Sequence, residues 1–446
     1  MSESLDAIIA EQMARWTVPG VTVGILRDGK RSLHAWGVTS LETGQPARPD
    51  TLFQIGSISK VFCATLVMLL VDEGKVDLDA PIVTYLPDLR LADETAQAGV
   101  TLRHTLTHTS GIYGDFFDDF GMGDDALAKS VEAFRTLRQW TPLGSSWAYC
   151  NVGFNLAGAV VEKVLGLTFE QAMRERVFEP LGLDDSVYFA HEAIVHSAAV
   201  GHTLIDPAGD AQEIARSYPL PRCVNPAGGI ISTVDDLLSF AQMHMNSGKL
   251  ADRQVLSAAS ATAMQEKQTI AGNWADEWGL GWDIRWVDGE KLIGHGGTTN
   301  GFQARLTAVP GRDYAIAMLT NSGRGAALYN AVEKWALADD LGMDLRDPER
   351  VALTDVQLDA IAGHYSQPQA VYTVSVEDDG LRLEATSISA LSGKRTTPPA
   401  DHLAPVGERE FLVTTGASAG RRVDFFDGDS ARPRFIRNGG RLAERD

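Results

Sequence analysis

Long apolar stretches are missing from this chain, whose longest uninterrupted run falls well short of the ~18 to 20 residues that a membrane-spanning helix needs. No membrane partner is therefore expected. The opening residues Met1-Ser2-Glu3-Ser4-Leu5-Asp6 also lack the basic start and apolar centre of an export signal. Cysteine is scarce: Cys63, Cys150 and Cys223 are an odd number with no metal-like spacing. That usage fits reduced thiols rather than a disulfide framework, and a cytoplasmic location is expected. Basic residues are in the minority, 39 Lys and Arg against 59 Asp and Glu, giving a net charge of −20. Such a balance argues against nucleic acid or an anionic membrane as partner and for plain solubility.

Metal-binding patterns are absent as well. His104 and His108 stand at i, i+4 in Leu102-Arg103-His104-Thr105-Leu106-Thr107-His108, yet there is no H-E-x-x-H arrangement and no third ligand. Both are read as structural, and no metal or cofactor is expected. The stretch from Asp115 to Asp125 alternates acids and aromatics without the closing Glu of a calcium loop. It reads as a mobile lid whose aromatics line a substrate cleft and whose charge favours neutral or cationic substrates.

What is present is enough for a large core. At 446 residues, with 44% hydrophobic and 22% charged content, the chain suits a soluble globular protein of two units. In the first unit, residues 4 to 16 carry Leu5, Ile8, Ile9, Met13 and Trp16 at helical spacing, and Val21 to Leu26 and Ser32 to Trp36 flank Asp28-Gly29 as a hairpin. Helices dominate the middle to about residue 265. Short strands follow from Trp278, at Trp282 to Trp286, Lys291 to Gly294, Phe302 to Val309 and Tyr314 to Leu319, and then a helix over 326 to 342. Strands at both ends enclosing a helical middle imply an α+β fold with one antiparallel sheet built from both ends and the two terminal helices on one face. After Pro348 the pattern becomes all β, apart from a short helix at Asp355 to Ala362. A hairpin at Tyr372 to Val376 and Leu381 to Glu384, with strands at Phe411 to Thr414, Arg422 to Phe426 and Arg434 to Ile436, predicts a small barrel or sandwich.

The stretch around which the rest is organised is Phe53-Gln54-Ile55-Gly56-Ser57-Ile58-Ser59-Lys60 and the apolar run Val61 to Val71 behind it. A run apolar all round reads as a buried central helix. Gly56 permits a sharp entry, and Ser57 and Lys60, three apart, share a face. A hydroxyl is a poor nucleophile without an adjacent base, which a buried Lys can become, and a helix N-terminus offers N–H groups to a developing oxyanion. Two later stretches supply the other roles. Tyr149-x-Asn151 offers a phenol to relay a proton and an amide to hold Lys60 and orient a carbonyl. His295-Gly296-Gly297 leaves a strand edge bare, so that the N–H of Thr298 can join that of Ser57 around an oxyanion. Cys150 is read as a small packing residue.

Together, Ser57-x-x-Lys60, Tyr149-x-Asn151 and His295-Gly296-Gly297 resemble the three signature motifs of the penicillin-recognising serine hydrolases. The branch concerned contains class C β-lactamases, DD-peptidases, D-amino-acid peptidases and family VIII esterases. The likeness covers about residues 1 to 345, and residues 350 to 446 resemble the lipocalin-like extra domain of some members. The resemblance implies a β-lactamase/transpeptidase-like fold and an acyl-enzyme route. Ser57 is then the nucleophile, Lys60 and Tyr149 handle its proton, Asn151 and His295 lie at the substrate, and Gly297 and Thr298 line the oxyanion site. It implies cleavage of small esters or D-amino-acid amides, with weak β-lactam hydrolysis, because His295 stands where most β-lactamases have a Lys. Two alternatives share the site: an acyltransferase, and a non-catalytic penicillin-binding protein. Oligomeric state is left open.

Overall fold

Helix α1 (Leu5–Trp16) begins where the Ser4 hydroxyl accepts from the Ala7 N–H, ends at Thr17 in the left-handed region, and buries Ile8 and Ile9. The hairpin of β1 (Gly20–Arg27) and β2 (Lys30–Gly37) turns at Asp28 and Gly29, whose φ values of 49° and 70° match the twist of the strands. In the computed structural model, residues 4–218, 220–272, 274–388, 395–428 and 432–446 are described. They divide into two units. One comprises Met1–Thr203, Glu213–Ile270 and Asp276–Asp344, the other Leu204–Gln212, Ala271–Ala275 and Leu345–Asp446.

In the first unit the middle of the chain supplies α2 (Ser59–Asp72), α3 (Asn151–Leu165) and α4 (Val234–Met245). Strands β3 (Glu277–Trp278), β4 (Asp283–Val287), β5 (Glu290–Thr299), β6 (Phe302–Val309) and β7 (Tyr314–Thr320) follow, and then α5 (Gly325–Leu341). The sheet runs β2-β1-β7-β6-β5-β4-β3, antiparallel throughout, so the two ends of the unit meet where Val21 pairs with Thr320 and Arg27 with Tyr314. Helices α1 and α5 pack together, and α4 lies on β1 and β7. Gly24 permits that last approach, since a Cβ there would sit 3.0 Å from Leu238 and 3.1 Å from Val234. Helix α2 is buried on nearly all sides, from Ser59 through Met68, as its unbroken apolar run requires.

The second unit contains α6 (Asp355–Ile361) and the strands β8 (Gly363–Gln367), β9 (Ala370–Glu377), β10 (Gly380–Ile388), β11 (Asp401–Pro405), β12 (Glu410–Val413), β13 (Arg422–Gly428), β14 (Pro433–Asn438) and β15 (Arg441–Arg445). Their order is β9-β8-β15-β14-β13-β12-β11-β10, and β10 pairs back onto β9, so the eight strands close into a barrel. Tyr365, Leu381, Phe411, Val423, Phe425, Ile436 and Ala443 fill the core and are at most 1% exposed. Eight strands leave an interior that side chains can fill. This barrel is a packed core.

Candidate active site

Gly56 adopts φ +52°, and residues Gly56–Ile58 form a 3-10 turn ahead of α2 rather than its first α turn. Lys60 follows in the first turn of α2, three residues on, so its side chain lies on the same face as Ser57. Lys60 has no exposed surface. Its Nζ lies 3.1 Å from Ser57 Oγ, 2.6 Å from Asn151 Oδ1 and 2.6 Å from the carbonyl oxygen of Ala227. Asn and Ala227 offer only acceptors here and take two N–H bonds, whereas the Ser hydroxyl can donate as well as accept. A neutral amine with its lone pair on Ser57 therefore satisfies these three contacts, as an ammonium ion also does.

Strand β5 supplies the opposite wall. Its ladder with β4 stops at Gly294, while its ladder with β6 continues to Thr299, so the His295–Thr299 edge has no strand beside it among the described residues. The turn at Ser57 packs there instead. A Cβ on Gly297 would lie 1.9 Å from Ile55 O and 3.2 Å from the Ser57 nitrogen, and one on Gly56 would lie 2.6 Å from the Thr298 nitrogen. Only glycine at both positions lets the two backbones approach this closely. The backbone nitrogens of Ser57 and Thr298 both lie beside this close contact.

Side chains alternate along β5, so His295 points to the Gly297 side and Gly296 toward Tyr329 of α5. His295 is fully buried. Its ring lies 6.2 Å from that of Tyr149 and 5.6 Å from that of Trp278, and its Nδ1 donates to the Gly296 carbonyl. Burial, and then the neighbouring Lys60 charge, push its pKa down to about 3, so the imidazole is neutral. With no exposed surface, His295 lies behind the Tyr149 ring.

Tyr149 is 4% exposed, with Lys60 Nζ 4.9 Å from its ring centroid. His108 packs against it with the rings tilted and their centroids 4.3 Å apart, and accepts from the Cys150 N–H through Nδ1, while His104 closes a capping box with Thr101. The two histidines thus serve separate structural tasks. Cys150 caps α3 by accepting from the Gly153 N–H, and burial pushes its thiol pKa up. Asn151, the first residue of α3, donates from Nδ2 to Asp115 Oδ1 at 2.7 Å.

Asp115, Ala227 and His108 join the site; of these the sequence pointed only to the loop that begins at Asp115, and not to its bond with Asn151. Each touches a motif residue that lies 36 or more positions away in the chain. The loop after Asp115 is tied to the segment around Cys223. Cys223 Sγ donates to the Asp118 carbonyl, and Arg222 bonds the Met122 carbonyl and the Asp124 carboxylate. Within it Phe116 packs edge-on against Phe134.

Residues 5–338 match the family model described as Beta-lactamase. Penicillin-binding protein 4 of Amycolatopsis lactamdurans is 37% identical over 355 residues, which span 78% of this chain and 91% of that protein. Among solved structures, SurE superposes with a TM-score of 0.75 at 25% identity over 99% of this chain and 98% of its own. The D-amino acid amidase of Ochrobactrum anthropi SV3 gives 0.64 at 25% identity, over 75% and 97%. The chain belongs to the Beta-lactamase family of penicillin-recognising serine hydrolases.

Proposed function

We propose that this protein forms an acyl-enzyme at Ser57 and cleaves small carboxylic esters or amides of the D-amino-acid type. The observation that carries the reading is Lys60 Nζ at 3.1 Å from Ser57 Oγ, held there by Asn151 and Ala227. In the first step Oγ bonds to the substrate carbonyl carbon as its proton passes to Lys60. The N–H groups of Ser57 and Thr298 receive the oxyanion, donors already fixed before charge develops there. As the bond from the carbonyl carbon to the leaving group breaks, Tyr149 gives that group a proton and is reprotonated by Lys60; water then attacks the acyl carbon, releasing the acid and restoring the Ser57 hydroxyl and the neutral Lys60. Similarity to a D-amino acid amidase supports the amide class.

The neutral, buried His295 offers no cation to a substrate carboxylate, so β-lactams, which carry one, are poor substrates. The test is steady-state and single-turnover hydrolysis of p-nitrophenyl esters, D-amino-acid p-nitroanilides and nitrocefin. Turnover of esters or anilides above nitrocefin, lost in Ser57→Ala, is expected. Nitrocefin turnover exceeding both would reverse the substrate assignment.

A further inference from the structure

Asn151 is gripped at both ends. Lys60, a donor, holds Oδ1, and the Asp115 carboxylate, an acceptor, holds Nδ2. An amide rotated by half a turn would face its NH2 to the Lys donor and its oxygen to the carboxylate, so both grips fail together. The backbone fits the same purpose: Gly114 lies so close to the second motif that a Cβ would meet Cys150 Cα at 2.6 Å and Tyr149 O at 2.7 Å. The loop carrying Asp115 is thus seated directly on Tyr149-Cys150-Asn151.

We infer that Asp115 is a positioning residue, which locks the Asn151 amide in one orientation and so holds Lys60 in line with Ser57. This rests on the acyl-enzyme reading above. The groups facing Lys60 are Ser57 and Cys63 from its own turn and helix, Tyr149, Cys150 and Asn151 from the second motif, and His295 from β5. Burial keeps both thiols protonated and His295 neutral. Asp115 is the carboxylate joined to Lys60 through one amide, and its charge reaches Cys150 as well. A negative charge there favours the ammonium form of Lys60, and removing it favours the neutral base.

The experiment is pre-steady-state p-nitrophenyl ester hydrolysis across pH for the full-length protein, Asp115→Asn and Asp115→Glu. The isosteric Asn can donate or accept, so it releases the amide to rotate. Expected for Asp115→Asn is an acylation rate constant at least about tenfold lower with little change in KM. The acid limb of its profile shifts by about half a unit or more to lower pH. Asp115→Glu, which keeps the charge, recovers part of the rate and leaves the limb in place. A wild-type rate in Asp115→Asn, or a reduced rate with an unmoved acid limb in a variant of unchanged melting temperature, overturns the inference. A wild-type protein with no Ser57-dependent burst overturns the acyl-enzyme reading instead, so the two failures are distinct.

Discussion

Replacing Gly297 by Ala tests how tightly the oxyanion corner is built. The new methyl would lie 1.9 Å from Ile55 O and 2.8 Å from Ile55 C, both backbone atoms without a rotamer to yield. Real Cβ contacts are not found below 3.0 Å, so β5 and the Ser57 turn must part by at least about 1 Å. A misplacement of about 1 Å in a reacting constellation lowers the rate on the order of 100-fold, and overpacking of this kind destabilises by about 1–3 kcal/mol. Gly296→Ala is the matched control, because its methyl meets nothing nearer than Tyr329 Oη at 3.6 Å and Ala304 O at 3.7 Å. Stopped-flow acylation by p-nitrophenyl acetate, with a thermal melt of each variant, separates rate from stability. Gly297→Ala should lose about two orders of magnitude in kcat/KM, and Gly296→Ala should stay within about threefold of the parent. Equal losses in the two variants, or a Gly297→Ala protein as fast as the parent, would refute the reasoning.

Other consequences concern buried titrating groups. Burial pushes the Asp236 carboxyl up to about 7, although the Ser186 hydroxyl and the Asp185 N–H both donate to its Oδ2. Its folded-state pKa exceeds the unfolded value, so its contribution to stability is complete below about pH 4 and is lost as pH rises to about 7. Asp236→Asn, whose oxygen can accept both bonds, should therefore gain stability over the parent at pH 8 compared with pH 4.5, by at most about 4 kcal/mol. Urea unfolding at the two pH values checks this, and an equal difference at both would contradict it. His244 and His295 run the other way, each lowered to about 3 by burial. Their contribution is intact above about pH 6.5 and is lost as pH falls toward 3. His244→Gln, away from Ser57, should flatten the fall in stability between pH 6.5 and 4 while leaving kcat within about twofold.

Much of the first unit was legible because local signals and their tertiary partners agree. Ser57 and Lys60 are three residues apart, Gly56 precedes them, and the apolar run behind them can only be buried. The paired glycines at 296 and 297 likewise announced a bare strand edge. Partners distant in sequence left no such trace. Nothing near Asp115 points to Asn151, and nothing in His295 reveals that Trp278 and Tyr149 enclose it. The barrel shows the same division: the hairpin at β9 and β10 declares itself through Asp378, with φ 51°, and Gly380, but β8, β11 and β15 do not. Gly363-His364-Tyr365-Ser366-Gln367, Asp401-His402-Leu403-Ala404-Pro405 and Arg441-Leu442-Ala443-Glu444-Arg445 have weak strand composition. They are strands because barrel closure gives them neighbours, a context that propensity does not contain.

The most direct measurement is mass spectrometry of the protein quenched in acid during turnover of a slow p-nitrophenyl ester, followed by peptide mapping. One acyl group per chain is expected on the peptide containing Ser57, absent in Ser57→Ala. An acyl group found on another residue, or ester turnover that continues unchanged in Ser57→Ala, would contradict it.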